Sequence, residues 1–366
     1  MSLKIALMPG DGIGPEVTEE AVRILKNVAE HSGKTFTFTT HRIGGVAIDA
    51  DGMGLPESTL EAALGADAVL LGAVGHPKFE GRMPADRPEA ALLALRQALG
   101  GFANLRPAIC YPSLAKRTSF QPERVRGANL LIIRELLGGL YYGEPRGFEA
   151  SGNTAFNTLI YSRHEIERVA KVGFERARER KKKLASIDKA NVLETSRLWR
   201  AVVSEMAKDY PDVELEHVYI DTAAMRLAIS PTSFDVMLCD NLFGDILSDE
   251  AGALAGSLGV LPSATIGGKV DLYEPVHGSA PDIAGKGLAN PIGAIASAAM
   301  LLRFTAKMEK EAAEIDHAIE DALAAGARTR DIAGPGERVL STRDMGQSIE
   351  DALNEVRDRK HSYHGV

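Results

Sequence analysis

Only two cysteines and one tryptophan occur in 366 residues, and aromatic side chains make up 5% of the chain. Cys110 in PAICYP and Cys239 in DVMLCDN are far apart in apolar surroundings, which argues against a disulfide framework and for buried free thiols in a reducing compartment. Positive charge is not in excess, since 42 Lys and Arg face 50 Asp and Glu for a net charge of -8. Phosphate neutralisation supplies most of the affinity for a polyanion, so this balance argues against nucleic-acid binding but leaves small anionic substrates open. No uncharged apolar run of about 18 residues is present, and no membrane span is expected. The N-terminus, MSLKIALMPGDG, runs straight into a strand pattern without the layout of a signal peptide, which makes the cytoplasm the expected location. Internal repeats and low-complexity tracts are also missing.

What remains is a globular composition, 45% hydrophobic and 25% charged, on a chain long enough for roughly two domains at about 150 residues each. KIALMPG, a helical pattern from Pro15 to His31, TFTFTT, a helix from Pro56, DAVLLGAVG and a helix from Arg87 to Leu99 follow one another. That alternation predicts an α/β unit with parallel strands. A second, separately built α/β unit is expected from about residue 102, with NLRPAIC, NLLIIREL, a polar arm from Gly147 to Tyr161, and a long helix ending in RARERKKK. From Leu184 the pattern resumes through LASIDKANVL, a helix at Trp199, ELEHVYID, a short helix, FDVMLCD and a helix from Leu242. Small-residue loops follow residue 256, then helices near 291–311, 315–325 and 344–357, the last expected to pack back on the first third. The basic run Arg178 to Lys183 reads as a solvated helix C-terminus, where cations complement the helix dipole.

Chemistry-bearing residues stand out against this frame. GDGIGPE at 10–16 follows a strand and opens a helix, yet it fails as a dinucleotide fingerprint: the third glycine position is Pro15, and TFTFTT does not end in the acid that would hold a ribose. A tight glycine turn is the better expectation. Arg134 inside NLLIIREL is costly to desolvate unless an anion meets it, and Glu135 points to the opposite face. With Arg106 in FANLRPAI and Arg96 on the helix before it, either a carboxylate-gripping pocket or structural ion pairs with unseen acids would explain the trio.

Asp245 and Asp249 are four apart and share a helix face, where like charges repel by roughly a few tenths of a kcal/mol. A magnesium or manganese ion would offset that repulsion, with Asp221 after VYI as a further oxygen ligand; a solvated acidic face is the other reading. Lys189, ending a strand, could serve as a base if partly desolvated, and the phenol of Tyr141 could donate a proton. HGSAPDIAGKGLANP, with a lone Asp282, is a small-residue loop that lets a ligand approach the backbone.

Taken together, GDGIGPE, the Leu-rich stretch before Arg96, NLRP, RELLGGLYYGEPRG, DKANVLETSRLWR, NLFGDILSDEAG and EPVHGSAPDIAGKGLANP resemble, in order and over nearly the whole chain, the 3-isopropylmalate dehydrogenase family of metal-dependent β-decarboxylating dehydrogenases. The resemblance implies an α/β two-domain fold with mixed sheets, not a Rossmann fold. Its first domain would comprise residues 1–101 plus 257–366 and carry the NAD-binding loops. Its second, 102–256, would carry the dimer interface, arm and metal site.

The implied reaction is oxidation of a 2-hydroxy dicarboxylate by NAD followed by loss of the carboxylate β to the new ketone. Arg96, Arg106 and Arg134 would hold carboxylates, and Asp221, Asp245 and Asp249 would hold magnesium or manganese. Lys189 would take the hydroxyl proton and Tyr141 would protonate the enol. Adenosine would lie against His277, Gly278, Ser279, Ala280, Pro281, Asp282, Ile283, Ala289 and Asn290, with Asp282 disfavouring a 2′-phosphate. Leu92 and Leu93, the stem of Glu89 and Val192 of a second subunit would surround an isopropyl group. Family members are homodimers whose sites borrow Lys189 and Asp221 from the neighbour.

Three positions depart from the usual pattern: Leu137, Asp240, and His76 in GHPK, which leaves the turn at 76 open. Sister activities on isocitrate, homoisocitrate or tartrate-like acids are the nearest alternative. A magnesium-dependent hydrolase and a catalytically silent scaffold are the others.

Overall fold

The structure is a computed structural model that describes residues 2–363, and the side chains of residues 2–359. Its strands are β1 (Ser2–Gly10), β2 (Thr35–Thr40), β3 (Ala68–Ala73), β4 (Ala103–Ile109), β5 (Asn129–Glu135), β6 (Gly147–Phe148), β7 (Ala155–Phe156), β8 (Lys183–Asp188), β9 (Glu214–Tyr219), β10 (Val236–Cys239), β11 (Pro262–Ile266) and β12 (Asp271–Pro275). Its helices are α1 (Gly14–Ser32), α2 (Gly45–Asp51), α3 (Glu57–Leu64), α4 (Pro88–Leu99), α5 (Pro122–Val125), α6 (Arg163–Glu179), α7 (Glu194–Met206), α8 (Ile220–Ile229), α9 (Asn241–Ala255), α10 (Ile292–Phe304), α11 (Glu309–Ala324) and α12 (Thr342–Tyr363). The described chain forms two compact units. One comprises the residues up to Gly101, Tyr111–Ser119 and the residues from Ala255; the other comprises Phe102–Cys110 and Phe120–Leu254.

In the first unit the strands run β2-β1-β3-β12-β11. The first four are mutually parallel, and β11 turns back antiparallel to β12. β3, AVLLGA, is buried at every residue, as a strand covered on both faces must be. Below it, Met8, Leu71, Leu95, Leu99 and Leu272 belong to one hydrophobic cluster. α10 is buried from Ile292 to Leu302 and therefore apolar all round.

α12 returns onto α1, where Asn27 Nδ2 donates to Glu350 Oε1 at 3.1 Å. The segment Tyr111–Ser119, which the sequence assigned to the second domain, groups with the first unit. There Arg117 pairs with Glu337, and the Arg328 guanidinium donates to the Ser113 carbonyl.

The second unit orders its strands β4-β5-β10-β8-β9. β4 is antiparallel to β5 and the others are parallel. Each unit thus mixes strand directions, and neither is an all-parallel Rossmann sheet. α6 starts with a capping box in which Ser162 and Glu165 satisfy each other's backbone N–H groups. The expected arm between Gly147 and Tyr161 contains the two-residue strands β6 and β7, paired antiparallel.

One expectation is corrected. The helix predicted over 291–311 ends at Phe304, and the chain turns at Lys307, whose φ is 56°. The basic run straddles the end of α6, as expected: Arg178 lies in the last helical turn, Arg180 is the C-cap residue, and Lys183 already opens β8. Its cations are ion-paired, Arg178 with Asp212 at 2.6 Å and Arg180 with Asp235 at 2.8 Å.

The α1–α12 contact also buries an acid. Glu20 is 3% exposed, and its carboxyl lies so close to Gly346 that a Cβ there would overlap it. Burial, only partly offset by Arg23, pushes its pKa from 4.5 to about 7. A carboxyl whose folded pKa is raised stabilises the fold below its unfolded value, and that contribution is lost as pH rises from about 4.5 through 7. Glu20→Gln is therefore expected to raise stability at pH 8 by on the order of 2 kcal/mol, with the gain vanishing toward pH 5. Thermal unfolding of both chains across this range checks it; a gain independent of pH would contradict the assignment.

Candidate active site

The strand order places β5 beside β4 and β10, and the residues singled out in the sequence project from the ends of these strands. Arg134 is the penultimate residue of β5 and pairs in register with Asn104 of β4 and Cys239 of β10. Its side chain is 3% exposed. As expected from strand alternation, Arg134 and Glu135 go separate ways: Glu135 accepts from the N–H groups of Leu137 and Gly138 and meets Arg168, while Arg134 turns toward α9.

There the Arg134 Nη1 donates to Asp245 Oδ1. Arg106, from β4, reaches the same oxygen at 3.3 Å, with its Nε on Asn104 Oδ1 and its Nη1 on Ser248 Oγ. The other Asp245 oxygen accepts the phenol of Tyr141 at 2.8 Å. One carboxylate thus joins two guanidinium groups and a phenol, and the Arg134 guanidinium lies 5.5 Å from the centre of the Tyr141 ring. Burial, reinforced by the Asp245 carboxylate, pushes the Tyr141 phenol up to about 12, so it holds its proton at neutral pH.

One turn along α9, Asp249 accepts no hydrogen bond among the described residues. Burial and the neighbouring Asp245 raise its pKa against the pull of Arg106 and Arg134. A half-buried pair of carboxylates with oxygen donors only, one of them without a donor partner, suits a hard divalent cation. Yet no three His, Cys, Asp or Glu side chains gather as a metal site among the described residues. Asp221, at the start of α8, is not in this cluster. It sits opposite the end of β8, where the Lys189 ammonium donates to its Oδ1 at 2.6 Å and holds its carboxyl below the usual range.

The Lys189 turn is itself braced. Asp188, 1% exposed, takes both Nε and Nη2 of Arg200, and the Lys189 N–H donates to Ser196 Oγ. Val192, three residues on, is 66% exposed.

In the first unit, α4 carries Glu89, Leu92, Leu93 and Arg96. Leu92 packs partly against the hydrophobic cluster, and Arg96 meets Glu274 of β12 at 2.6 Å, an acid that the sequence gave no reason to single out. The GDGIG turn is the expected tight turn, with Gly10 at φ 71° and Gly12 at φ 57°. A Cβ at Gly12 would lie 1.9 Å from the Ser279 carbonyl, which also accepts the Ile13 N–H. Between them, the buried Asp11 carboxylate accepts the N–H groups of Gly45, Val46 and Gly75, and the side chain of Glu89 lies next to Gly75. Spacing gives no hint of Asp11, because its partners are backbone groups.

The loop His277–Asn290 is thus tied to the GDGIG turn. His277 Nε2 is buried without a partner, and burial holds the imidazole neutral. Ala280 has φ 39°; Gly278, Gly285 and Gly287 face open space; Asp282 is exposed. Asn290 anchors the end of the loop to Asp331 and accepts the Ile292 N–H at the start of α10, and the buried Ala289 offers its carbonyl to Thr342. An orphaned imidazole nitrogen beside open glycine backbone suits an adenine and its ribose.

The isocitrate/isopropylmalate dehydrogenase model matches residues 4–349. The chain belongs to this family. It is 53% identical over 357 residues to a 3-isopropylmalate dehydrogenase of Xanthomonas axonopodis pv. citri, covering 96% of this chain and 100% of that protein. The Moorella thermoacetica 3-isopropylmalate dehydrogenase is 52% identical, covering 96% and 99%. Among solved structures, an isocitrate dehydrogenase from Methylococcus capsulatus aligns with a TM-score of 0.85 at 34% identity, covering 96% of this chain and 99% of that one. A β-decarboxylating dehydrogenase from Thermococcus kodakarensis aligns at 0.79 and 36%, covering 96% of each chain.

The Tyr141–Asp245 contact is testable by titration. Asp245→Asn removes the charge that helps to hold the phenol up, so residue 141 should form more phenolate at about pH 10.5 than in the parent. Ultraviolet difference spectra with Tyr141→Phe as the blank resolve it, and an unchanged titration would contradict the contact.

Proposed function

We propose that this chain oxidises (2R,3S)-3-isopropylmalate with NAD and a magnesium or manganese ion and releases the carboxylate β to the new ketone, giving 4-methyl-2-oxopentanoate for leucine biosynthesis. The observation that carries this reading is the Asp245 carboxylate, which holds Arg106, Arg134 and Tyr141 together one helical turn from Asp249. Two guanidinium groups beside a cation-ready pair of acids suit a hydroxy acid with two carboxylates.

Arg96, Arg106 and Arg134 bind the carboxylates, and Asp245, Asp249 and Asp221 bind the ion. When bound, the divalent ion supplies acidity to the substrate hydroxyl and charge stabilisation to the enolate, and NAD serves as hydride acceptor. Lys189, acting as the neutral amine, takes the hydroxyl proton while the carbon bearing that hydroxyl gives its hydride to NAD and becomes the ketone. The bond to the β-carboxylate then breaks, carbon dioxide departs, and Tyr141 returns a proton to the carbon left behind. A phenol raised to about 12 keeps that proton until the enolate forms.

Leu92 and Leu93, with the stem of Glu89 and Val192, form an apolar surround for the isopropyl group. A third carboxylate buried there without a partner would be heavily disfavoured. Residues His277–Ile283, Ala289 and Asn290 receive adenosine, with Asp282 repelling a 2′-phosphate and favouring NAD over NADP.

The working unit is a homodimer in which Asp221, Lys189 and Val192 complete the neighbour's site. Three observations support this: Asp221 lies outside the Asp245–Asp249 cluster, Val192 is exposed, and Met225, Ile229 and Ile246 leave apolar side chains 52–55% exposed on α8 and α9. No described helix is long and apolar enough to cross a membrane. With Cys110 and Cys239 buried and not joined in a disulfide, we place the enzyme in the cytoplasm.

The nearest second reading is a sister activity, favoured by the isocitrate dehydrogenase among the structural relatives. NADH formation from 3-isopropylmalate, isocitrate, homoisocitrate and tartrate in the presence of magnesium separates the two; 3-isopropylmalate is expected to give the highest kcat/KM. Lys189→Met should lower kcat by about a thousandfold while leaving NAD affinity unchanged. Near-parental turnover in that variant would remove Lys189 from the chemistry.

A further inference from the structure

Asn241 opens α9, four residues before Asp245, and no step above assigns it a role. It is 1% exposed, and its side chain meets four polar groups. Its Oδ1 accepts both Nε and Nη2 of Arg134, at 3.0 and 2.8 Å. Its Nδ2 donates to the carbonyls of Leu136 and Gly138, at 3.1 and 2.9 Å. Its backbone N–H donates to the phenol oxygen of the buried Tyr161 at 2.9 Å. The acceptor therefore engages one edge of the Arg134 fork, and the donor pins the turn that leads from β5 to Tyr141.

Two physical consequences follow. Engaging Nε and Nη2 together fixes the plane of the guanidinium, so Nη1 stays aimed at Asp245. The acceptor is also a neutral amide. A carboxylate at this position would place a second negative charge on Arg134, which already pairs with Asp245, whereas the amide orients the cation without adding one. Asp240, one residue earlier, cannot substitute: its Oδ1 is turned to the Phe243 N–H.

We infer that Asn241 is a positioning residue for substrate recognition: it fixes the plane of the Arg134 guanidinium, which Asp245 shares with the substrate carboxylate, without adding a negative charge to it. This rests on the proposal that Arg134 grips a substrate carboxylate. Asn241→Asp keeps the size and the acceptor while adding the charge, and Asn241→Ser keeps a short neutral acceptor.

The test uses whichever of 3-isopropylmalate, isocitrate, homoisocitrate and tartrate the full-length parent oxidises. Asn241→Asp is expected to raise the KM for that acid about tenfold or more, with the KM for NAD unchanged; Asn241→Ser should raise it less. In an Arg134→Lys background, which lacks the fork, the same Asn241→Asp change should alter the acid KM by less than about threefold. This non-additivity is the mark of a residue acting through another. Melting temperatures show which variants are folded, and if Asn241→Asp does not fold, Asn241→Ser carries the comparison in both backgrounds.

An acid KM within about twofold of the parent in the folded variants, or an equal rise in the KM for NAD, would overturn the inference. So would a full effect in the Arg134→Lys background. If the parent oxidises none of the four acids, the functional proposal fails and takes this one with it; if the parent is active and the KM shift is missing, only the role of Asn241 fails.

Discussion

A single carboxylate organises the second unit. Asp245 is where Arg106 from β4, Arg134 from β5 and Tyr141 from the turn after β5 meet α9, so one helix start fixes three groups delivered by different segments. Two guanidinium groups and the carboxylates of Asp245 and Asp249 nearly balance in charge, which makes an otherwise costly cluster of half-buried ions tolerable. The neighbouring residues exist to hold this arrangement. Asn104 and Ser248 take the remaining edges of Arg106, Asn241 takes the fork of Arg134, and Glu135 ties down the N–H groups of the turn that carries the chain toward Tyr141.

The first unit solves a different problem by similar means. Its loops carry little apolar side-chain mass, so backbone hydrogen bonds and the carboxylates of Asp11 and Asp331 fix them instead. Asp11 collects three N–H groups from two separate segments, Gly12 permits van der Waals approach to the Ser279 carbonyl, and Asp331 holds Asn290 and Ser257. A rigid turn of this kind allows exposed residues such as Asp282 to be presented without a covering layer.

The charged side chains at the ends of apolar strands were readable in advance, because burial of a guanidinium demands a partner. Arg134 and Arg106 stand in apolar runs, and Asp245 and Asp249 share a helix face. The partners were not readable. Glu274 for Arg96, Asn241 for Arg134 and Ser248 for Arg106 come from distant segments, and an isolated Asn or Ser in a sequence carries no sign of its contact. Alternation predicted parallel strands, but the antiparallel β4 and β11 depend on connections that local periodicity does not encode. The segment Tyr111–Ser119 shows the same limit, since its grouping follows from the pairing of Arg117 with Glu337 more than two hundred residues later.

Asp221 and Lys189 hold each other at 2.6 Å, apart from the acids of α9, while Val192 and the apolar side chains of α8 and α9 face outward. The proposed completion of the site by a second chain would account for all of these together. The most direct measurement is activity of a heterodimer carrying Asp221→Asn on one chain and Asp245→Asn on the other, isolated through two different affinity tags. Each homodimeric variant should be nearly inactive, whereas the heterodimer retains one complete site of two and should recover about half of the parental turnover. A heterodimer no more active than the two homodimers would contradict shared sites and the cluster built around Asp245.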